Sequence, residues 1–190
     1  MQIIIIIILY LFLNLQITKA QVNDPIEFLT NIINESKNKL QNEGDCFIEK
    51  KIEKHIDFYE VSTLIVGYDV WKNMNNEEKK TFINEIKKLI LKTYKKTVYM
   101  YVDSEIELEK PKQFNNEIKK IQIYSKIKKN NKIININYRL IKKDNSWFLF
   151  DVIIEGISMI KSFKSQFEES IKFYGITNTI NKIHEINNKK

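Results

Sequence analysis

At 190 residues, with 43% apolar and 29% charged side chains, the chain has the balance of a globular protein able to bury a real core, which excludes a disordered protein. Its formal charge of +7 comes from 31 basic residues, every one a lysine except Arg139, and they are spread along the chain as on a solvated surface, so no nucleic-acid partner is expected. Cys46 is the single cysteine; it excludes an intramolecular disulfide and reads as a small buried hydrophobe.

The first element is an apolar run from Ile3 to Leu13, followed by Asn14 and Gln16 and then by Thr18-Lys19-Ala20, with small residues where a signal peptidase reads. The run is shorter than the ~20 apolar residues a bilayer span needs, although Met1-Gln2 brings no basic side chain. Residues 1–20 are therefore expected to be a cleaved signal peptide, with an uncleaved anchor as the alternative. The remainder, 21–190, is expected to form a single exported domain.

Helical patterns come next. Asp24-Pro25 is a start signal, with an N-cap acceptor followed by a residue suited to the first turn. Ile26, Leu29, Ile32 or Ile33, Ser36 and Leu40 then mark one face, and Gly44 stops it. A second pattern carries Phe47, Ile48, Ile52, Ile56 and Tyr59, and a third runs from Val61 to Trp71 with Gly67 inside it, suggesting close helix packing. The fourth begins at Asn75-Asn76-Glu77-Glu78, a capping-box variant, and continues through Phe82, Ile86, Leu89, Ile90, Tyr94, Val98 and Tyr101.

After Asp103 the period drops from 3.6 to 2. Residues 104–109 alternate, Pro111 interrupts, and Ile121, Ile123, Ser125 and Ile127 resume the alternation. Lys129-Asn130-Asn131-Lys132 and Lys143-Asp144-Asn145-Ser146 read as turns, because Asn tolerates the left-handed region. The partner strand carries Ile134, Ile136, Tyr138 and Leu140 on one face. The last strand, Trp147 to Ile154, is apolar on both faces and needs cover on both. It turns at Gly156 into a helix with Ile160, Phe163, Phe167 and Ile171, ended by Gly175; Thr177 then caps a short helix with Ile180 and Ile183. Helices in blocks around about four antiparallel strands give an α+β fold.

Few residues are arranged for chemistry. Gly156-Ile157-Ser158-Met159-Ile160 lacks the second glycine of a nucleophile elbow, so Ser158 is read as a helix cap. His55, with acidic neighbours, reads as solvated, and with His184 and one cysteine it offers no zinc set. No phosphate-cradling glycine motif is present. Asp151 and Glu155, four apart on a strand, should share a face; a structural pairing with Arg139 is favoured over acid/base catalysis.

An ordered set of pieces nevertheless resembles the MlaC (toluene-tolerance auxiliary) family of phospholipid-binding proteins. They are Gly67 followed by Trp71, Glu78-x-x-x-Phe82 running into Thr93-Tyr94, Tyr138-Arg139, Trp147 with Asp151, and Glu155-Gly156-Ile157-Ser158-Met159-Ile160 leading to Gln166-Phe167 and Gly175-Ile176. The poorly charged start of the signal and the extreme Lys and Asn content depart from the family pattern. The resemblance implies a curved antiparallel sheet packed with helices around a deep apolar cavity for acyl chains. It also implies a monomeric, non-enzymatic periplasmic carrier without cofactor or metal, shuttling phospholipid between an outer-membrane lipoprotein complex and an inner-membrane ATPase-driven complex and so maintaining outer-membrane lipid asymmetry. Acyl chains outside a bilayer lose ~0.8 kcal/mol per exposed CH₂, so such a carrier needs a dry cavity and no catalytic group.

The expected lining is taken from the facing stripes: Val66 and Val70; Tyr94, Val98 and Tyr101; Ile123, Ile136 and Tyr138; Leu149, Ile153, Ile157 and Ile160. Two other classes remain open: a small-ligand-binding or enzymatic domain with a cone-shaped sheet pocket, and a structural envelope protein with a filled core.

Overall fold

The structure, a computed structural model, describes residues 24–114 and 117–189, so the expected signal peptide lies outside the described residues. The first helix, α1 (Pro25–His55), starts where capping chemistry puts it: Asp24 accepts a hydrogen bond from the Ile26 N–H at 2.8 Å. It is not straight. A continuous helix would hold Phe28 and His55 about 40 Å apart, yet their rings meet edge-on at 5.5 Å, and Glu35 pairs with Lys51. The chain folds back at Gly44 (φ 56°, ψ −136°), making a helical hairpin with a first arm over 25–43 and a second over 45–55. Cys46, just past this elbow, is exposed and not buried as its residue type suggests, because the elbow turns it outward.

Two short helices follow, α2 (Phe58–Val66) and α3 (Tyr68–Asn73), broken by Gly67 at φ 87° and ψ 150°. A Cβ at Gly67 would meet nothing within 4 Å, so this glycine serves the backbone turn and not close helix packing. Then α4 (Asn76–Tyr101) opens with a full capping box: Asn75 Oδ1 accepts from the Glu78 N–H at 2.9 Å, and Glu78 accepts from the Asn75 N–H at 3.0 Å.

The antiparallel sheet has seven strands where the alternation pattern suggests about four. They are β1 (Glu105–Leu108), β2 (Lys112–Phe114), β3 (Glu117–Ile123), β4 (Ser125–Lys129), β5 (Lys132–Lys143), β6 (Ser146–Ile154) and β7 (Ile157–Ser158). The difference comes from two short strands, β2 and β7, and from a break at Tyr124 that divides one long alternating run into β3 and β4. The Tyr124 carbonyl there accepts from the Glu109 N–H at 2.9 Å. β5 is the spine: its first half pairs with β4, its second half with β3, and its other edge with β6. Both predicted Asn turns form, with positive φ at Asn130, Asn131, Asp144 and Asn145, the signature of two-residue hairpin turns.

The turn from β6 to β7 has the same form. Glu155 (φ 48°) shares it with Gly156, so the glycine is not the sole left-handed residue there, and Glu155 sits in the turn instead of facing the same way as Asp151. After β7, Ser158 caps α5 (Met159–Asn188) by accepting from the Lys161 N–H at 3.1 Å. α5 kinks at Gly175, and the Thr177 hydroxyl bonds the Glu78 carboxylate at 3.1 Å, so its partner is α4 and not its own helix.

The buried apolar residues fall into three clusters and not one. The largest joins α2, α3, α4 and α5 around Phe82, Ile86, Phe163 and Phe167. A second joins the first arm of α1 (Phe28, Leu29) to Ile123, Leu140 and Trp147 of the sheet. The third, Leu40, Phe47 and Ile48, holds the elbow of the hairpin against Leu91, Val98 and Val102.

Candidate functional site

Between these clusters lies a cavity of about 280 Å³. A single ordered water needs about 10–15 Å³ on a comparable measure, so this is far more than a packing defect. Its roof is the α1 hairpin, one wall is the last three turns of α4, and its floor is the sheet. From α4 come Ile90, Tyr94, Thr97, Val98 and Tyr101, spaced by three and four on one helical face. The hairpin gives Leu29, Ile32, Ile33, Leu40, Phe47, Ile48, Ile52 and Ile56; the sheet gives Ile106, Ile127, Ile136, Tyr138, Leu149, Phe150, Val152 and Ile154, with Met159 from the start of α5.

The sheet contribution depends on a bulge. In the β5–β6 ladder Arg139 faces Asp151 while Leu140 faces Leu149, so Phe150 is an extra residue in β6. Leu149 and Phe150 therefore both reach the cavity, and beyond them the parity is reversed: Val152 and Ile154 face it, Asp151 and Ile153 do not. Reading β6 as an unbroken alternation puts Ile153 on the wrong face.

Of the twelve residues expected to form the lining, six lie together in the wall: Tyr94, Val98, Tyr101, Ile136, Tyr138 and Leu149. The others are elsewhere. Val66 and Ile160 are buried in the α2–α5 cluster with Val70 packed against it. Ile123 is covered by Phe28 and Leu29 of the first arm. Ile153 is buried on the opposite face of β6, and Ile157 is 68% exposed on the short strand β7. What the residues alone understate is α1: its apolar face looks like ordinary core until the fold-back at Gly44 turns both arms over the sheet.

The polar groups of the wall are few. Tyr138 is half-buried, and desolvation of its phenol pushes it up to about 12, against the opposing pull of a hydrogen bond with Ser125. Tyr94 is also raised, by burial and then by the nearby Asp151 charge. His55 is half-buried in the wall and not solvated; burial, then the charges of Lys51 and Lys54, lower it to about 4, so its imidazole is neutral at pH 7.

Asp151 sits just behind this wall, 1% exposed. Arg139 Nη1 lies 3.0 Å from its Oδ2, the Ser158 hydroxyl donates to the same oxygen at 2.7 Å, and the Ile160 N–H donates to Oδ1 at 3.2 Å. All three partners are donors, and together they tie the sheet to the start of α5. That is the geometry of a structural carboxylate, with both oxygens engaged by donors. Among the described residues no group of three or more His, Cys, Asp or Glu side chains is close enough to hold a metal ion. No helix among them is long and apolar enough to cross a membrane.

A family model described as MlaC protein matches residues 24–185. The chain belongs to the MlaC family. The α+β class read from the sequence stands. Among solved structures, a phospholipid-binding protein from Ralstonia solanacearum, determined in complex with a phospholipid, superposes with a TM-score of 0.73. It is 17% identical, and the match covers 88% of this chain and 96% of that one, a likeness of fold. No similar sequence was found among curated proteins.

Proposed function

We propose that this MlaC-family protein carries phospholipid with the acyl chains inserted between the α1 hairpin, α4 and the sheet. The observation that carries the reading is the cavity itself: a large space with an almost wholly aliphatic and aromatic wall, lying where three separate apolar clusters leave the centre of the domain unfilled. Water in such a space has few polar partners, whereas each methylene placed there is stabilised by ~0.8 kcal/mol. No residue of the wall forms a nucleophile–base pair, so the arrangement suits binding and release, not turnover. The family and the phospholipid in the fold neighbour support the same ligand class.

On this reading the apolar run Ile3–Leu13 with Thr18-Lys19-Ala20 directs export to the periplasm, where the protein shuttles phospholipid between an outer-membrane lipoprotein complex and an inner-membrane ATPase-driven complex. Native mass spectrometry of the exported protein, purified without detergent, tests the carrier reading. A mass increment that lipid extraction identifies as phospholipid is expected; a protein with no bound lipid and no uptake from vesicles refutes it. Fractionation of expressing cells tests the export step, which fails if the full-length precursor stays in the cytoplasm.

A further inference from the structure

The wall is apolar but not uniformly so. Its two basic side chains, Lys51 and His55, lie four residues apart on one face of the second arm of α1, and among the described residues no carboxylate belongs to the wall. The acidic residues of that arm are outside the wall: Asp45 pairs with Lys95 and Glu53 with Lys87, both along α4, and Glu49 is exposed with its charge felt by Lys95. Lys51 faces the first arm, where Glu35 pairs with it, and its ammonium lies 5.5 Å from the centre of the Phe47 ring. The pair is asymmetric. The Lys51 side chain is 20% exposed and Glu35 is 47% exposed, so the carboxylate can swing into water at small cost while the ammonium stays at the wall.

We propose that Lys51, with His55 one turn along the same arm, is the phosphate-recognition site of this cavity, and that Glu35 is a built-in carboxylate occupying Lys51 until a lipid phosphate displaces it. The inference rests on the carrier reading and adds to it the position and chemistry of head-group recognition. An acyl chain lying among Ile48, Ile52 and Leu149 leaves its phosphodiester at the edge of the apolar wall, and a desolvated phosphate needs a cation. Lysine supplies a point charge suited to a monoanionic diester, and the neutral imidazole supplies one N–H donor beside it. Burial first, and then the charges of Lys51 and Lys54, lower the His55 pKa and keep its imidazole neutral beside the Lys51 ammonium.

The test compares two lipids with the same acyl chains, dioleoyl phosphatidylglycerol and dioleoylglycerol, competing for the delipidated mature chain in native mass spectrometry. Wild type is expected to favour the phospholipid. Lys51→Gln lowers the phospholipid-to-diacylglycerol ratio by about tenfold, the loss of one charge-assisted hydrogen bond, Lys51→Arg restores it, and Glu35→Gln raises it because the internal competitor is gone. Opposite signs for Lys51→Gln and Glu35→Gln are the signature of displacement. If both lower the ratio, the ion pair is only a strut between the two arms and the proposal is overturned. Equal binding of the two lipids by wild type overturns the phosphate site and leaves the carrier reading standing; binding of neither lipid overturns both.

Discussion

Val152 and Ile153 are neighbours on β6, and the bulge at Phe150 assigns them opposite tasks. Val152 pairs with Tyr138 across the ladder and faces the cavity; Ile153 pairs with Asn137 and is 6% exposed on the other face. In Val152→Glu a carboxylate enters the wall. Keeping it hydrated denies roughly three methylenes of an acyl chain their contact, about 2.4 kcal/mol; desolvating it instead costs at least about as much. Whichever is cheaper, a loss of about 2.4 kcal/mol or more weakens lipid binding at least about fiftyfold. The fold itself loses only about 1–2 kcal/mol, because the new side chain borders open space. Ile153→Glu reverses the pattern: it buries a charge in packed protein and destabilises the fold by about 3 kcal/mol or more. Phospholipid phosphorus per mole of purified protein, read beside a thermal midpoint, separates the two. Full lipid content in Val152→Glu, together with a folded but lipid-free Ile153→Glu, would refute the facing derived from the bulge.

Three further outcomes follow from the same geometry. Asp151→Ala leaves Arg139, the Ser158 hydroxyl and the Ile160 N–H without their shared acceptor, and urea denaturation should show a loss of about 2–4 kcal/mol; an unchanged midpoint would count against the hub. Gly67→Ala should cost about 1–3 kcal/mol by chemical denaturation although its Cβ touches nothing, since the penalty is the backbone conformation alone. His55 should titrate near 4 by imidazole NMR, against an ordinary 6.5, in the lipid-free protein. The sign follows: its folded pKa is depressed, so its contribution to stability is complete above pH 6.5 and is lost as pH falls from 6.5 toward 4. His55→Phe should flatten that part of the stability profile, and a midpoint near 6.5 in the titration would mean the ring is in water.

How legible the site was depended on whether local pattern and tertiary geometry coincided. The α4 stripe did coincide: Tyr94, Val98 and Tyr101 share a helical face by spacing alone, and the structure turns that face to the cavity. The Asn-Asn and Asp-Asn turns were equally readable, because their chemistry is confined to two residues. Ile153 was not, since a bulge at Phe150 is one inserted residue with no marker in a run as uniformly apolar as Trp147–Ile154. Nor was the role of α1. Gly44 signals that the helix stops, but nothing local says that the next helix returns alongside it, and that return is what converts Leu29, Ile33, Ile48 and Ile52 from a plain amphipathic face into a roof.

The arrangement of the apolar clusters explains why the space persists. A domain of this size ordinarily closes on one core, but here each cluster is complete by itself: the aromatic stack of Phe163 and Phe167 with α2–α4, the plug of Phe28 and Leu29 under Trp147, and the elbow of Leu40, Phe47 and Ile48. The hairpin is held to α4 by the ion pairs of Asp45 with Lys95 and of Glu53 with Lys87, and to the end of α4 by Lys37, whose Nζ donates to the Ser104 carbonyl at 2.8 Å. These contacts lie outside the cavity and do not require its walls to touch. Exposed pairs of this kind contribute at most about 1 kcal/mol each, so the hairpin is held chiefly by its two buried apolar anchors, Phe28 and Leu29 on the sheet and Leu40, Phe47 and Ile48 against α4. Collapse onto the sheet would gain apolar burial for the hairpin but would have to drive Ile48 and Ile52 against Leu149 and Phe150, which the bulge has doubled up on the same face. The sheet therefore resists closure, and the space stays open between the two anchored ends of the hairpin.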